Sequence, residues 1–466
     1  MKTSILNLLL CIGFLASCNS DDLSETDVLS EREIAVFVEN PYAMNESDAV
    51  VKATLFLNNA EVSLRSSNSS ETVNAFVSTR NYEVKIPDLS SEENEVKQVV
   101  PVYTVNYKDN SNESGGFVLI AGDERITDNV LIFNDNGNFD FSRRNDVDFL
   151  DDLISGFLYK EINFEFEEEE SLNENTGIST RAHYITDYGN SSMYLLYPTI
   201  EFEQSGLPFN WYTPFRNGQR ALAGCTAVAM SEIMAHHAWP LQGAFKRYTT
   251  NTVTPETVYV SYELTTAEWA GIRSSNMSYC ANNYPIALEY VANIIAETGY
   301  KLNSSYGTDV TTAYPNDVPY VFQQMGYTTG AYQSYSFAAI QDDIEVEEIP
   351  VFMAGWKNAN DPYVDNNGDN GGHAYVLMGT LYESLTGKTF ICLINMYVDP
   401  VTGYGNYWFN NAMFTATNTT PSYTPTGNDM VYPYRYQCGI ITDIKPDPNN
   451  TGSTNPNWRS RSINAY

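Results

Sequence analysis

Two residues of this chain combine the types and settings needed for thiol chemistry. Cys225 lies in Gly224-Cys225-Thr226-Ala-Val-Ala-Met-Ser-Glu-Ile-Met-Ala-His-His-Ala-Trp239-Pro240. From Thr226 onward, small and apolar residues recur at helical spacing until Pro240 stops the pattern, so Cys225 is expected at a helix N-terminus. Aligned peptide dipoles there favour an anion, which predicts a lowered thiol pKa and a held thiolate. The glycine before it lets a substrate backbone come close. The competing reading is a buried structural cysteine that opens a core helix.

A thiolate nucleophile needs a base that can also protonate the leaving amine. The chain has only four histidines. His236 and His237 follow Cys225 on the same helix, roughly 16 Å along at a rise of 1.5 Å per residue, and cannot reach it. His183 sits beside an acidic segment. His373 remains, in Gly371-Gly372-His373-Ala-Tyr-Val-Leu-Met-Gly379, where glycines open an apolar strand. A histidine at the mouth of a strand can face a cysteine at the tip of a helix. The plainer alternative is a strand-edge histidine bonded to a backbone carbonyl.

Two amides complete the set. Asn395 ends the apolar run Thr389-Phe-Ile-Cys-Leu-Ile-Asn395, one hairpin beyond His373, where it is placed to orient an imidazole. Gln204, in Glu203-Gln204-Ser-Gly-Leu-Pro208-Phe209-Asn210, is placed to supply an oxyanion donor beside the Cys225 backbone N–H. Each taken alone also fits ordinary polar loop chemistry.

The elements that must position these residues fall into two α+β halves. In the front half, Leu29 to Leu57 has apolar residues at helical spacing, with Ser30 as N-cap and Glu33 three residues later. Strands are predicted at Asn81–Ile86, Val99–Tyr107 and Gly116–Ile120, a turn at Asp135–Gly137 and a short amphipathic helix at Asp146–Tyr159. Glu165-Phe-Glu-Glu-Glu-Glu170, followed by Ser, Asn, Thr and Gly, reads as a linker because like charges repel and nothing apolar can pack. The boundaries expected are 1–17 signal peptide, 18–163 front domain, 164–182 linker, 183–445 catalytic domain and 446–466 mobile tail.

The 466 residues are 43% hydrophobic and 13% aromatic, enough for a large core. A net charge of −33 argues against nucleic acid or anionic lipid as a partner. Lys2, the apolar run Ile5 to Phe14 and then Leu15-Ala16-Ser17-Cys18 read as a signal peptide. The small residues before the cysteine resemble a bacterial lipobox, which makes Cys18 the lipid-bearing residue and that lipid the only membrane contact. Asn19-Ser20-Asp21-Asp22 resembles the surface-export signal of Bacteroidetes lipoproteins. The location expected is the outer membrane, at the cell surface, or the medium after processing. Asp365 to Gly372 suggests a calcium loop but has Asn370 where an EF-hand needs glycine and Val376 where it needs Glu. No Cys–His spacing fits structural zinc. Cys280, Cys392 and Cys438 allow one disulfide at most, with Cys392 expected as a buried thiol.

Together the motifs resemble the streptopain-like cysteine peptidases. Gly224-Cys225-Thr-Ala-Val-Ala-Met230 with Ile233-Met234 and Trp239-Pro240 is similar to the family's nucleophile helix. Gly372-His373-Ala-Tyr-Val376 is similar to its histidine strand, and Gln204 with Pro208-Phe209-Asn210 to its glutamine segment. Ile349–Gly355 resembles the strand before the histidine, while Gly115–Arg125 and Asn134–Phe139 resemble the family's pro-domain. The resemblance implies a papain-like α+β peptidase domain preceded by a smaller α+β pro-domain, with no cofactor and no metal. Cys225 would be the nucleophile, His373 the base and acid, Gln204 the oxyanion donor and Asn395 the orienting amide. It implies protein or peptide substrates, and the chain's own pro-domain as an intramolecular inhibitor removed by cleavage. One position departs from the family: Met396 follows Asn395 where a tryptophan is usual. That leaves a second reading, a catalytically weak surface lipoprotein that binds proteins through the same cleft.

Overall fold

The structure, a computed structural model, describes residues 36–64, 74–86, 96–108, 114–126, 129–134, 138–141, 150–151, 153–162, 192–196, 200, 202–249, 254–273, 282–357, 372–383, 387–394, 406–415, 436–447 and 449. Among these residues the class is α+β, as the element pattern predicts.

Twelve strands form one sheet: β1 (Val36–Val38), β2 (Asn74–Ile86), β3 (Val96–Lys108), β4 (Ser114–Ala121), β5 (Val130–Asn134), β6 (Ser192–Leu195), β7 (Gln333–Ser334), β8 (Val351–Lys357), β9 (His373–Glu383), β10 (Lys388–Ile394), β11 (Asn406–Asn410) and β12 (Tyr436–Ile441). Their order is β1-β3-β4-β5-β11-β10-β9-β8-β12-β7, with β2 also paired to β3 and β6 to β9. The front strands therefore join the back strands edge to edge. The junction is the antiparallel pair β5–β11, with Ile132 opposite Phe409 and Phe133 opposite Trp408. Asn410 reinforces it by donating from Nδ2 to Val130 O at 2.9 Å.

Four helices pack on this sheet or on one another: α1 (Glu46–Leu64), α2 (residues 153–162), α3 (Cys225–His236) and α4 (Pro285–Lys301). Strand alternation sorts the side chains of the sheet onto two faces. In β9, Ala374, Val376 and Met378 join the core around α3 and α4, whereas Tyr375 and Leu377 join the core on the other face. That second core is filled from the front half by Leu153, Ile154, Phe157 and Leu158 of α2 and by Phe117 and Leu119 of β4. A third core packs Ala49, Ala53 and Phe56 of α1 over Phe133, Phe390 and Trp408. Two of the three cores thus take side chains from both halves.

The front half differs from expectation at its first helix. The stretch read as helical from Leu29 instead places the strand β1 at Val36–Val38, and α1 begins only at Glu46. Pro41 disfavours helix in the residue before it. Asn45 then caps α1, its Oδ1 accepting from Asp48 N–H at 3.0 Å. Ser30, the Asp135–Gly137 turn, Cys18, the signal peptide and the acidic linker lie outside the described residues. The strands read at Asn81, Val99 and Gly116 are present within β2, β3 and β4, and helix α2 covers much of the run read at Asp146–Tyr159. At the other end, Pro446 still pairs with Tyr327, and Asp447 N–H bonds Gly326 O at 2.9 Å.

Phe133 is fully buried at the junction, with ring centroids 5.0 Å from Phe56, 5.2 Å from Phe390 and 6.0 Å from Trp408. Phe133→Ala should cost about 3–5 kcal/mol, because a cavity opens where both halves meet. The midpoint of urea unfolding of the full chain measures it. An unchanged midpoint would mean the junction adds nothing to stability.

Candidate active site

Cys225 is the first residue of α3 and is half-buried. Gly224 precedes it as N-cap, with φ +90° and ψ 132°, and no side chain caps the helix. A residue with a Cβ would be strained at that φ, and its Cβ would lie 2.8 Å from Thr311 Cγ2. Ahead of the helix, residues 221–224 run between two neighbouring segments. Ala223 N–H donates to the backbone carbonyl of Gln204 at 2.8 Å, which brings the Gln204 backbone beside the segment leading into Cys225. On the other side Leu222 N–H donates to Gly307 O at 2.9 Å.

His373 opens β9, opposite Gly355 of β8, and is buried. The thiol of Cys225 meets the backbone N–H of the next residue, Ala374. The imidazole packs edge-on against Tyr375, with centroids 4.5 Å apart, on the face whose core the front half fills. The structure therefore brings Cys225, Gln204 and the mouth of the histidine strand together. Asn395 and Met396 lie outside the described residues, as do His183, Cys280 and the Asp365–Gly371 loop. β10 reaches Ile394, register partner of Val376, immediately before Asn395.

The electrostatics correct one expectation. Four donors favour the thiolate: the Ala374 amide, the Thr226 hydroxyl, and the backbone N–H groups of Thr226 and Cys225 itself. The predicted helix-terminus effect is therefore present. Desolvation by burial is larger, however, and pushes the Cys225 thiol up rather than down. The rate of Cys225 alkylation by iodoacetamide in the intact chain should keep climbing above the ordinary thiol pKa of about 8.5. Thr226→Val, which removes one donor and keeps the shape, should move that profile further up. Mass spectrometry at Cys225 reads both. A plateau below about pH 8 in the intact chain would contradict the burial argument.

At the far end of α3, His236 and His237 are core histidines, with rings 5.3 Å apart. His237 Nε2 lies 2.8 Å from Ile444 O, and burial followed by the neighbouring His236 holds its pKa well below the usual value. Their exclusion by helix length agrees with this placement. Cys392 and Cys438 are buried, and neither is in a disulfide. Sequence reasoning missed Thr226, whose type at the residue after the nucleophile was a readable signal. It also missed Gly307 and Thr311, which reach residues 222–224 from far along the chain and leave no local pattern.

Residues 202–396 match the Peptidase C10 family model. Streptopain of Streptococcus pyogenes is 23% identical over 287 residues, covering 57% of this chain and 66% of that protein, just under two thirds of its length. Among solved structures, a prointerpain A fragment of Prevotella intermedia is similar over 78% of this chain and 98% of its own, at 16% identity and a TM-score of 0.40. Active interpain A of the same organism covers 55% of this chain and 95% of its own, at 19% identity and a TM-score of 0.33. Residues 202–396, which hold the Cys225 helix, the His373 strand and the Gln204 segment, are the part of the chain that the Peptidase C10 family model matches, and the chain is similar to streptopain.

Proposed function

We propose that the chain is a cysteine endopeptidase made as a zymogen, which hydrolyses peptide bonds of extracellular proteins. The observation that carries this reading is Cys225 at the N-terminus of α3, docked on the first residues of the histidine strand with Gln204 held alongside. In the reaction His373 takes the thiol proton, and Cys225 Sγ attacks the scissile carbonyl. The oxyanion is received by the Cys225 N–H and the Gln204 side chain. The imidazolium then protonates the leaving amine, and water, deprotonated by His373, releases the acyl group. Asn395 is assigned to orient the imidazole.

The intact chain matches a resting form. The thiol pKa is raised, and the imidazole stands with Tyr375 on the face packed by the front half. Loss of the front half opens that face and frees His373 to turn toward the thiol. Lipidation at Cys18 would tether the front half to the outer membrane, so the peptidase is released once the linker is cut and the front half is stripped away. Metabolic labelling with a fatty acid, lost in Cys18→Ser, tests the anchor.

The activity test is labelling with a peptidyl thiol-reactive inhibitor before and after removal of the front half. Labelling at Cys225 that depends on the peptide portion and grows on removal supports the peptidase. Peptide binding without labelling would favour the second reading, a weak or inactive surface-binding lipoprotein, for which the Met396 departure speaks.

A further inference from the structure

We propose that Thr311 is a positioning residue for the nucleophile, acting through the backbone of Leu222 to Gly224; this rests on the peptidase reading above. The residue sits in the loop Ser305–Thr312, which closes on itself. Ser305 N–H donates to Thr312 O at 2.9 Å, and Thr312 N–H returns to Ser305 O at 3.1 Å. The base of the loop is pinned by Tyr306, whose hydroxyl lies where a Cβ on Gly299 of α4 would fall, 2.3 Å from it. That same position is 3.7 Å from Ala227 Cβ of α3. Gly299 is thus a glycine inside a helix because an aromatic side chain occupies the space beside it.

From this anchored loop Thr311 makes two contacts with the segment leading into Cys225, one through its hydroxyl and one through its methyl. Its Oγ1 donates to Leu222 O at 2.9 Å while accepting from Gly307 N–H at 3.1 Å. Gly307 O in turn accepts from Leu222 N–H at 2.9 Å, so both backbone groups of Leu222 are held by the loop. The Thr311 methyl packs against Gly224, the residue whose positive φ aims the chain into α3. Thr311 is 4% exposed, so its hydroxyl has no water to replace these partners. Gln204 holds Ala223 from the opposite side.

The consequence is geometric. The direction of the Cys225 Cα–Cβ bond and of its N–H, one of the oxyanion donors, follows from the peptide planes at Leu222 to Gly224. Gln204 and this loop hold those planes from two sides, and a displacement of about 1 Å at a reacting group can cost on the order of a hundredfold. Holding the planes should therefore show in the chemical step more than in substrate affinity.

The experiment compares Thr311→Val, which keeps the methyl packing and removes the hydroxyl, with Thr311→Ser, which keeps the hydroxyl. Two readouts are taken on the full chain and on the processed enzyme: the rate of Cys225 alkylation by iodoacetamide across pH, and kcat and KM on a peptide substrate. Thr311→Val is expected to lower kcat at least about tenfold, with KM changed less than about twofold, and to shift the alkylation profile. Thr311→Ser should stay within about threefold of the native enzyme. Thermal melting separates position from fold. Thr311→Val that melts lower yet keeps native kcat and alkylation would overturn the proposal. So would equal losses in the Ser and Val variants, or a loss confined to KM. The alkylation arm does not depend on peptide cleavage, so a chain that fails to cleave peptides but shows the Val–Ser split would refute the peptidase reading and keep the positioning role.

Discussion

Cys225→Ala is expected to lower peptide hydrolysis at least about 10⁴-fold and to leave the chain uncut if processing is autocatalytic. The loss is large because the thiolate forms the covalent intermediate and, among the described residues, no second thiol is in place. Cys392 and Cys438 are buried in strands β10 and β12 rather than at the tip of α3. His373→Ala should match this loss, since a nucleophile and its base fail as a unit. His236→Ala and His237→Ala should keep kcat, being at the far end of α3. The His237 variant should instead lose stability of about 1–3 kcal/mol, because it leaves Ile444 O buried without the imidazole. Hydrolysis of casein by purified, processed enzyme measures each. Native rates in Cys225→Ala or His373→Ala would remove that residue from the mechanism.

Cleavage of the acidic stretch, within about 165–185, should by itself change little, whereas stripping the front half afterwards should raise Cys225 reactivity at least about tenfold. A segment rich in like charges offers a protease extended backbone, and Arg181 suits a trypsin-like activator. Yet the two pieces share the β5–β11 ladder and two hydrophobic cores, so a cut chain should still elute as one particle. Removal in mild denaturant, or digestion of the front piece, opens the face on which the His373 imidazole stands with Tyr375, so that the imidazole can turn to the thiol and favour the thiolate. Below its pKa a thiol gains up to about tenfold in thiolate for each unit its pKa falls. N-terminal sequencing, size-exclusion chromatography and an alkylation time course follow the steps. An active species that still starts at Cys18, with no gain on nicking or stripping, would leave the front half as a stalk or binding module and end the zymogen reading.

The residues of the candidate site were legible because each carries a local signature. Gly224-Cys225 before a helical run, ended by Pro240, marks a nucleophile position from a dozen residues, and α3 occupies that run. The glycines before His373 and the apolar run after it mark a strand mouth, and β9 starts there. The rise of a helix alone removed His236 and His237. The same local reading failed at Leu29–Leu57, where apolar spacing suited a helix but Pro41 and the Asn45 cap set the start of α1.

What only the tertiary structure decided are quantities that depend on groups far apart in the chain. Thr311 lies 89 residues from Leu222, whose carbonyl it holds, and no periodicity links them. The join between β5 and β11 places Phe133 opposite Trp408, so an acidic linker that looks like a boundary in sequence separates two halves of one sheet. The sign of the Cys225 shift belongs to the same class. Helix position predicts a lowered pKa from the nearest residues, but desolvation is set by everything packed around the thiol, and here it is the larger effect. Type and spacing along the chain determined which side chains are candidates for the chemistry. Burial and non-local hydrogen bonds determined how they are held and the state in which the intact chain keeps them.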